Sequence, residues 1–360
     1  MIQYTIRRVL LAIPVLFGIL IVTFTIARLI PGDPCTSALG ERATAEACAA
    51  FNERMGLDEP ILVQLGIYMR NILLRGDFGD SIRFSRPVSI MIIERLPVTL
   101  ELGFSAMFLA IAVGIPAGII SSTRRNSAAD VTTMVGANIG VSMPVYWLGL
   151  MLAYVFAILL KDTPFVLPNS GRLTAGVIAQ PFYEVWGWEL MKDTVQFTIA
   201  EFFANFVIFN SIITGDWEVL KDAIRHLILP AVALSTIPLS IIARITRSSM
   251  LEVLGQDYVR TARAKGLFER AVVIKHAFRN ALLPVATVVG LQVGTLFAGA
   301  VLTESIFGFA GVGRSLFDAI TGRDFPVIQA FTVVIALGYV VVNLIVDISY
   351  AFIDPRIQLD

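Results

Sequence analysis

The sequence predicts an all-α membrane protein of six spanning helices, with a long loop region between the first two. Three observations predict it. Hydrophobic residues make up 56% of the 360 and charged residues only 16%, against about 25% charged in soluble domains, and mean hydropathy is +0.77. Six apolar runs reach or approach the roughly 20 residues that a spanning helix needs. Lys and Arg gather in loops that one alternating topology places on a single side.

The first run, Val9 to Ala27, follows Arg7 and Arg8 and ends in "ARLIPGDP". It outlasts the roughly 7 to 15 residues of a secretory signal core and has no small-x-small site, so residues 1–30 read as an uncleaved spanning helix. The other five runs are Leu96 to Ile120, Val131 to Leu160, Leu227 to Ile245, Ala281 to Leu302 and Val327 to Phe352. Pro144 interrupts the third span of the chain, and Pro230 and Pro238 the fourth. Such prolines mark kinks, which either line a path or serve packing alone. Glu101 and Asp347 sit within or at the edge of spans, near enough to an interface to be paired there. A structural pairing and a proton or substrate relay are both open for them.

Arg7 and Arg8 set the N-terminus in the cytoplasm. Alternation then keeps "STRRNSAAD" (Arg124, Arg125), the segment from Arg247 to Arg279 and the tail 353–360 with Arg356 on the same side. Residues 31–95, 161–226 and 303–326 fall outside. The core 96–352 thus holds five spans, an outer insertion at 161–226 and a cytoplasmic loop at 247–280. Cys35 and Cys48 are the only cysteines, both in the first outer segment. They either pair, given an oxidising compartment, or remain two small buried side chains. "VQFTIAEFFANFVIFNSIIT", Val195 to Thr214, has the length of a span but is interrupted by Glu201, Asn205 and Asn210. Crossing there would turn the basic segment outward, so it reads as an interfacial or docked amphipathic helix.

Several motifs exclude more than they suggest. The formal net charge is zero, which gives no sign of a nucleic-acid partner. His226 and His276 are the only histidines and neither has a nearby Cys, so metal-ligand spacing and a hydrolytic triad both lack support. "GFAGVGRS", Gly308 to Ser315, approaches a phosphate-binding loop, but Arg314 stands in place of the lysine and the stretch joins two spans on the outer side. It reads as a glycine-rich turn. No catalytic residue, metal or cofactor is expected in this chain, and it does not read as an enzyme.

The segment from Arg247 to Arg279 carries Arg247, Arg260, Arg263, Lys265, Arg270, Lys275 and Arg279 against Glu252, Asp257 and Glu269. Met250 to Lys265 holds good helix formers and no proline, with Gly266 placed for a left-handed cap. A second helical stretch follows from Leu267 to Asn280. Two short helices joined at a glycine form a plug suited to the groove of a soluble partner.

"YVRTARAKGL" followed by "HAFRNALLP" resembles the cytoplasmic coupling loop, the EAA loop, of ABC-importer permeases, and looks like its dipeptide/oligopeptide/nickel branch. Arg260, Thr261 and Ala262 occupy the E-A-A positions, Gly266 the glycine, and Leu283-Pro284 the terminal LP. The acidic first position and the shorter spacing of the generic loop are absent, as in the peptide branch. The likeness continues through "IPGDP" (Ile30 to Pro34), "GLDEP" (Gly56 to Pro60), "GDFGDSIRFSRPV" (Gly76 to Val88), "RLPVTLEL" (Arg95 to Leu102), "SMPVYWLGL" (Ser142 to Leu150), "HLILPA" (His226 to Ala231), "ARITRSSMLEVL" (Ala243 to Leu254), "ESIFGFAGVGR" (Glu304 to Arg314) and "DPRI" (Asp354 to Ile357). Residues 179–222 have no counterpart in it.

The resemblance implies the type I ABC importer permease fold, in the inner or plasma membrane with both termini cytoplasmic. It implies half of a translocation path for di- or oligopeptides, with nickel complexes, glutathione-like compounds and oligosaccharides carried by other relatives. The implied partners are a second homologous permease, two ABC ATPase subunits, an extracytoplasmic solute-binding protein and the lipid bilayer. The implied ATPase contact is Asp257, Tyr258, Arg260, Thr261, Ala262, Arg263, Ala264, Lys265 and Gly266, with Leu283 and Pro284. A secondary transporter driven by an ion gradient is the alternative. Few intramembrane carboxylates and no inverted repeat of interrupted helices speak against it.

Overall fold

A computed structural model describes residues 2–29, 35–36, 40–192 and 194–353. The "IPGDP" motif at 30–34 and the tail 354–360, with Arg356 and "DPRI", lie outside the described residues. Among these residues the secondary structure is helical, apart from one isolated bridge between Asp80 and Pro87.

Helix α1 (Ile2–Leu29) is followed by α2 (Ala45–Met55) and α3 (Ile61–Arg75). Thr44 caps α2 by accepting from Ala47 N, and Gly56 ends it in the left-handed conformation. Cys35 and Cys48, at the entrance to this region, are joined by a disulfide. Helix α4 spans Val88–Thr123. It begins two turns before the apolar run at Leu96, because Val88 and Met91 bury against Phe325, Val327 and Phe331.

The run from Val131 to Leu160 is not one straight helix. It divides into α5 (Ala128–Ser142) and α6 (Val145–Ala153), continued by the wider π-turn Tyr154–Leu159, with a bend of 102° between the halves. Pro144 stands at the break, lacking the N–H that would have continued the ladder. Pro230 and Pro238 leave their helix unbroken. A proline therefore breaks one span here and is absorbed in another, where neighbours pack on all sides.

After the short α7 (Phe182–Val185) come α8 (Val195–Ala204) and α9 (Val207–Thr214), bent by 96°. The polar residues that interrupt this stretch are used locally. Tyr183 donates to Glu201, Phe182 N donates to Asn210 Oδ1 at 2.8 Å, and Asn210 Nδ2 donates to the Gln180 carbonyl at 2.7 Å. Both arms thus rest against 180–183.

Helix α10 (Trp217–Leu254) follows, started by Asp216, which accepts from Val219 N. It extends well past the apolar run Leu227 to Ile245 at both ends. His226 therefore lies inside a helix, buried, with its Nδ1 2.9 Å from the Asp222 carbonyl. Then come α11 (Asp257–Ala264) and α12 (Glu269–Ala271), a π segment Val272–Phe278, α13 (Arg279–Ile306), α14 (Val312–Gly322) and α15 (Phe325–Ile353).

Helix α10 is the axis of the bundle. Two thirds of its most apolar stretch is buried, against 11% for α1 and 6% for α15. Its Leu229, Ala233, Leu234 and Ile242 meet Leu102, Ala106 and Ala110 of α4 and Val285, Leu296 and Ala300 of α13. Close approach of α4 depends on Gly114 and Gly118. A Cβ at Gly118 would come within 2.6 Å of the Ala243 carbonyl, the small-residue contact by which membrane helices approach one another. Helices α1 and α15 pair at the edge, with Arg8 2.7 Å from Asp347.

The chain direction defines two ends. At the basic end lie the 124–127 turn and residues 255–279, with Arg8 and Asp347. At the far end lie 35–36, 40–87, 161–192, 194–216 and 307–324.

Candidate functional site

The basic end carries the sequence-predicted contact. Helix α10 stops at Leu254, and Gly255 and Gln256 separate it from α11, so Met250 to Lys265 is two helices rather than one. Met250 belongs to the axis and is fully buried against Val273, Ala277 and Ala281. Helix α11 turns one stripe inward. Val259 and Ala262 pack on Val272 and on Val253 and Leu254.

Ala262 is thus 6% exposed and holds the plug to its own chain. Asp257, Tyr258, Arg260, Thr261, Arg263, Ala264, Lys265 and Gly266 are exposed, as is Phe268 at 87%. The period of about 3.6 residues explains the division: position 262 shares a face with 259, not with 260 or 263. Leu283 and Pro284 lie inside α13, beyond the turn; Leu283 is half-buried and its carbonyl accepts from Thr287 Oγ1 at 2.9 Å. Pro284 is exposed.

The turn after α11 is closed by hydrogen bonds. Gly266 N donates to the Arg263 carbonyl at 2.9 Å and Leu267 N to the Ala262 carbonyl at 3.4 Å, with Gly266 at φ 75°. This is the Schellman arrangement, in which the left-handed residue is most readily a glycine. Arg263 spans the turn to Glu269 with two bonds, Nη2 to Oε1 at 2.7 Å and Nε to Oε2 at 3.1 Å. Beside that guanidinium, the Glu269 carboxyl is held below the usual carboxylate range.

Two anchors set this plug on the bundle. One is the Met250 cluster, which includes Ile119 of α4. The other was not foreseen from sequence: Asp130 at the start of α5, 3% exposed, accepts from Arg247 Nε and Nη2 at 2.7 and 2.8 Å and from Ser121 Oγ. Arg247 is therefore neutralised within the chain. The exposed cations of the segment are Arg260, Arg263, Lys265, Arg270, Lys275 and Arg279. In the π segment each turn takes an extra residue, which brings both Val272 and Val273 to the buried side.

At the far end the polar groups turn inward. Glu304, fully buried, accepts from Thr99 Oγ1 at 2.6 Å and from Arg314 N at 2.9 Å, while Val312 N donates to Thr99 Oγ1 at 2.8 Å. The glycine-rich stretch Gly308 to Ser315 thus cradles an acidic group, but that group is the chain's own Glu304 carboxyl. A Cβ at Gly311 would overlap it. Asp324, 1% exposed, accepts from Ser81 Oγ and from the Ile82 and Arg83 amides. Glu101 pairs with Arg172 and accepts from Ile208 N at 2.7 Å. It is satisfied structurally, and Asp347 forms an ion pair with Arg8. Glu304 carried one readable signal, an acid at a span end just before glycines and a helix N-terminus, where amide donors are free.

With the geometry in place, the chain can be set beside known proteins. Residues 114–359 match the family described as binding-protein-dependent transport system inner membrane component, and residues 1–103 match its N-terminal counterpart. The chain belongs to this family. The dipeptide transport system permease protein DppB of Alkalihalophilus pseudofirmus is 46% identical over 358 residues, covering 99% of this chain and all of that protein. DppB of Escherichia coli is 43% identical over 359 residues, 99% of each chain. The oligopeptide transport system permease AppB of Bacillus subtilis is 40% identical over 359 residues, 99% of this chain and all of that protein. A multi-pass membrane component of a transport system accounts for the long apolar helices, and the family's permeases are transport components rather than enzymes.

Proposed function

We propose that this permease is one half of the membrane path of an ATP-driven importer for di- and oligopeptides. A second, similar permease forms the other half, two ATPase subunits bind the basic end from the cytoplasm, and an extracytoplasmic binding protein delivers cargo to the far end. The chain crosses six times, the bent pair α5–α6 counting as one crossing and the docked pair α8–α9 as none. Both termini are then cytoplasmic, and the Cys35–Cys48 disulfide lies on the oxidising side.

The observation that carries the coupling role is the mounting of α11. It exposes a charged face while its inner stripe and the Met250 cluster fix it to α10, α13 and α4. Closure of an ATPase dimer can move membrane helices only through a rigid contact of this kind. ATP and cargo shift the access equilibrium only by differing in affinity for its two states. The peptide cargo rests on what the named relatives are called.

The test is Gly266→Asp in the assembled importer. The expected result is loss of peptide uptake, and of ATPase co-purification or peptide-stimulated ATP hydrolysis, with normal membrane insertion. Normal uptake by the variant would remove the coupling role. Uptake that survives ATP depletion but stops when the ion gradient collapses would overturn the ATP-driven reading itself.

A further inference from the structure

At the far end a cleft of about 330 Å³ opens between α1, α3 and α15. Arg28, in the last turn of α1, stacks on the Phe24 ring at 3.4 Å and donates from Nε to Gln64 Oε1 at 2.7 Å. Its only other hydrogen bond among the described residues is a long one, 3.5 Å from Nη1 to the Phe24 carbonyl. Two side-chain atoms beside it in the cleft, Tyr68 Oη and Gln329 Nε2, are buried without a hydrogen bond among the described residues, and Gln329 is only 2% exposed. Burial pushes the Tyr68 hydroxyl up from its ordinary value, so it remains a donor. A buried donor left unmade costs about 1–3 kcal/mol, and native proteins seldom leave one. Three donors at one cleft call for an oxyanion.

The rim has the opposite charge. Glu53, Asp77 and Asp80 line the opening and are exposed. A free phosphate or a purely anionic group would meet these carboxylates on entry, whereas a zwitterion fits with its anion inward and its cation outward. Helix α3 indicates where such a zwitterion comes from. Gln64, Ile67, Tyr68 and Asn71 face the cleft at helical spacing, no residue of α3 is buried, and Leu62 and Leu73 on its opposite face are 81% and 73% exposed. A helix with a polar inner face and a bare apolar outer face lies in the membrane interface, at headgroup depth.

We propose that this cleft binds the headgroup of a zwitterionic aminophospholipid, with the phosphate on Arg28, Tyr68 and Gln329 and the ammonium on the Asp77–Asp80 rim. The assembled importer, delipidated in detergent, would be given phosphatidylethanolamine, phosphatidylglycerol or inorganic phosphate, and bound lipid and melting temperature followed by native mass spectrometry and calorimetry. Phosphatidylethanolamine is expected to bind and to raise the melting temperature, the other two to do so far less. Tyr68→Phe and Gln329→Met keep the shape and remove one donor each. Each should weaken that lipid's binding about tenfold while leaving the lipid-free melting temperature unchanged or higher. Asp77→Asn with Asp80→Asn should erase the preference for ethanolamine over glycerol headgroups. Equal lipid binding by the parent and both donor variants would overturn the proposal and leave the cleft to water. An equal response to phosphatidylglycerol or inorganic phosphate would overturn the zwitterion assignment.

Discussion

The far end and the basic end of this permease use charge in opposite ways. At the far end Glu101, Glu304 and Asp324 each find their partners within the chain, and two of the three are less than 2% exposed. At the basic end one buried pair, Asp130–Arg247, fixes the base of the plug, while the cations of α11 and α12 point away from the bundle. Charge used internally ties helices together and is unavailable to partners. Charge left on a braced helix is available and adds little to folding. The difference separates the residues that hold the permease together from those of the proposed ATPase contact.

The largest effect expected to test this contrast is at Glu304. Glu304→Ala strands the Thr99 hydroxyl and the Arg314 amide in a dry site, a loss of about 4 kcal/mol. Thermal unfolding in detergent should register it, and an unchanged melting temperature would show that the far end does not depend on its internal carboxylates. Next is the disulfide: Cys35→Ser with Cys48→Ser opens a short loop and should cost about 3 kcal/mol in the chain-entropy model, read as earlier unfolding of that region by hydrogen exchange. Asp130→Asn should lower the melting temperature by less than either and leave α11 folded but less firmly held, with slower peptide uptake.

At the plug itself the expected effects on stability are small. Gly266→Ala places a side chain in a left-handed residue, a cost of about 1 kcal/mol, with a larger effect on uptake than on unfolding. A parallel fall in both would deny the plug a role of its own. Arg263→Gln removes an exposed pair that contributes about 0.5 kcal/mol. Because Arg263 holds the Glu269 carboxyl below its unfolded value, the contribution is present at neutral pH and fades as pH falls through the lowered folded value. Hydrogen exchange of residues 262–269 between neutral and acid pH should follow that fade in the parent and not in the variant.

The turn at Gly266 and the apolar runs were legible in the sequence, because helix caps and spans depend on neighbours along the chain. The interruption of Val195–Thr214 was legible too, from the polar residues Glu201, Asn205 and Asn210, and the stretch divides into two helices bent by 96°. Ala262 was read as part of the contact because the resemblance places it at an E-A-A position, and the structure turns it inward. The break at Gly255 and the extension of α10 to Trp217 also escaped, since the first depends on where Met250 is buried and the second on an outer segment packed around Asp222.

By itself the sequence determined the helical class, most of the spans, the family and the basic plug, all of which follow from local composition, period and order. Only the tertiary structure decided which charges are used up. Asp130 meets Arg247, and Thr99 meets Glu304, across separations of 117 and 205 residues. Whether Tyr68, Arg28 and Gln329 share one cleft depends on three helices packing at their ends. A carboxylate or guanidinium has the same identity whether satisfied or free, and what distinguishes the two cases is the distance to a partner that packing alone brings near.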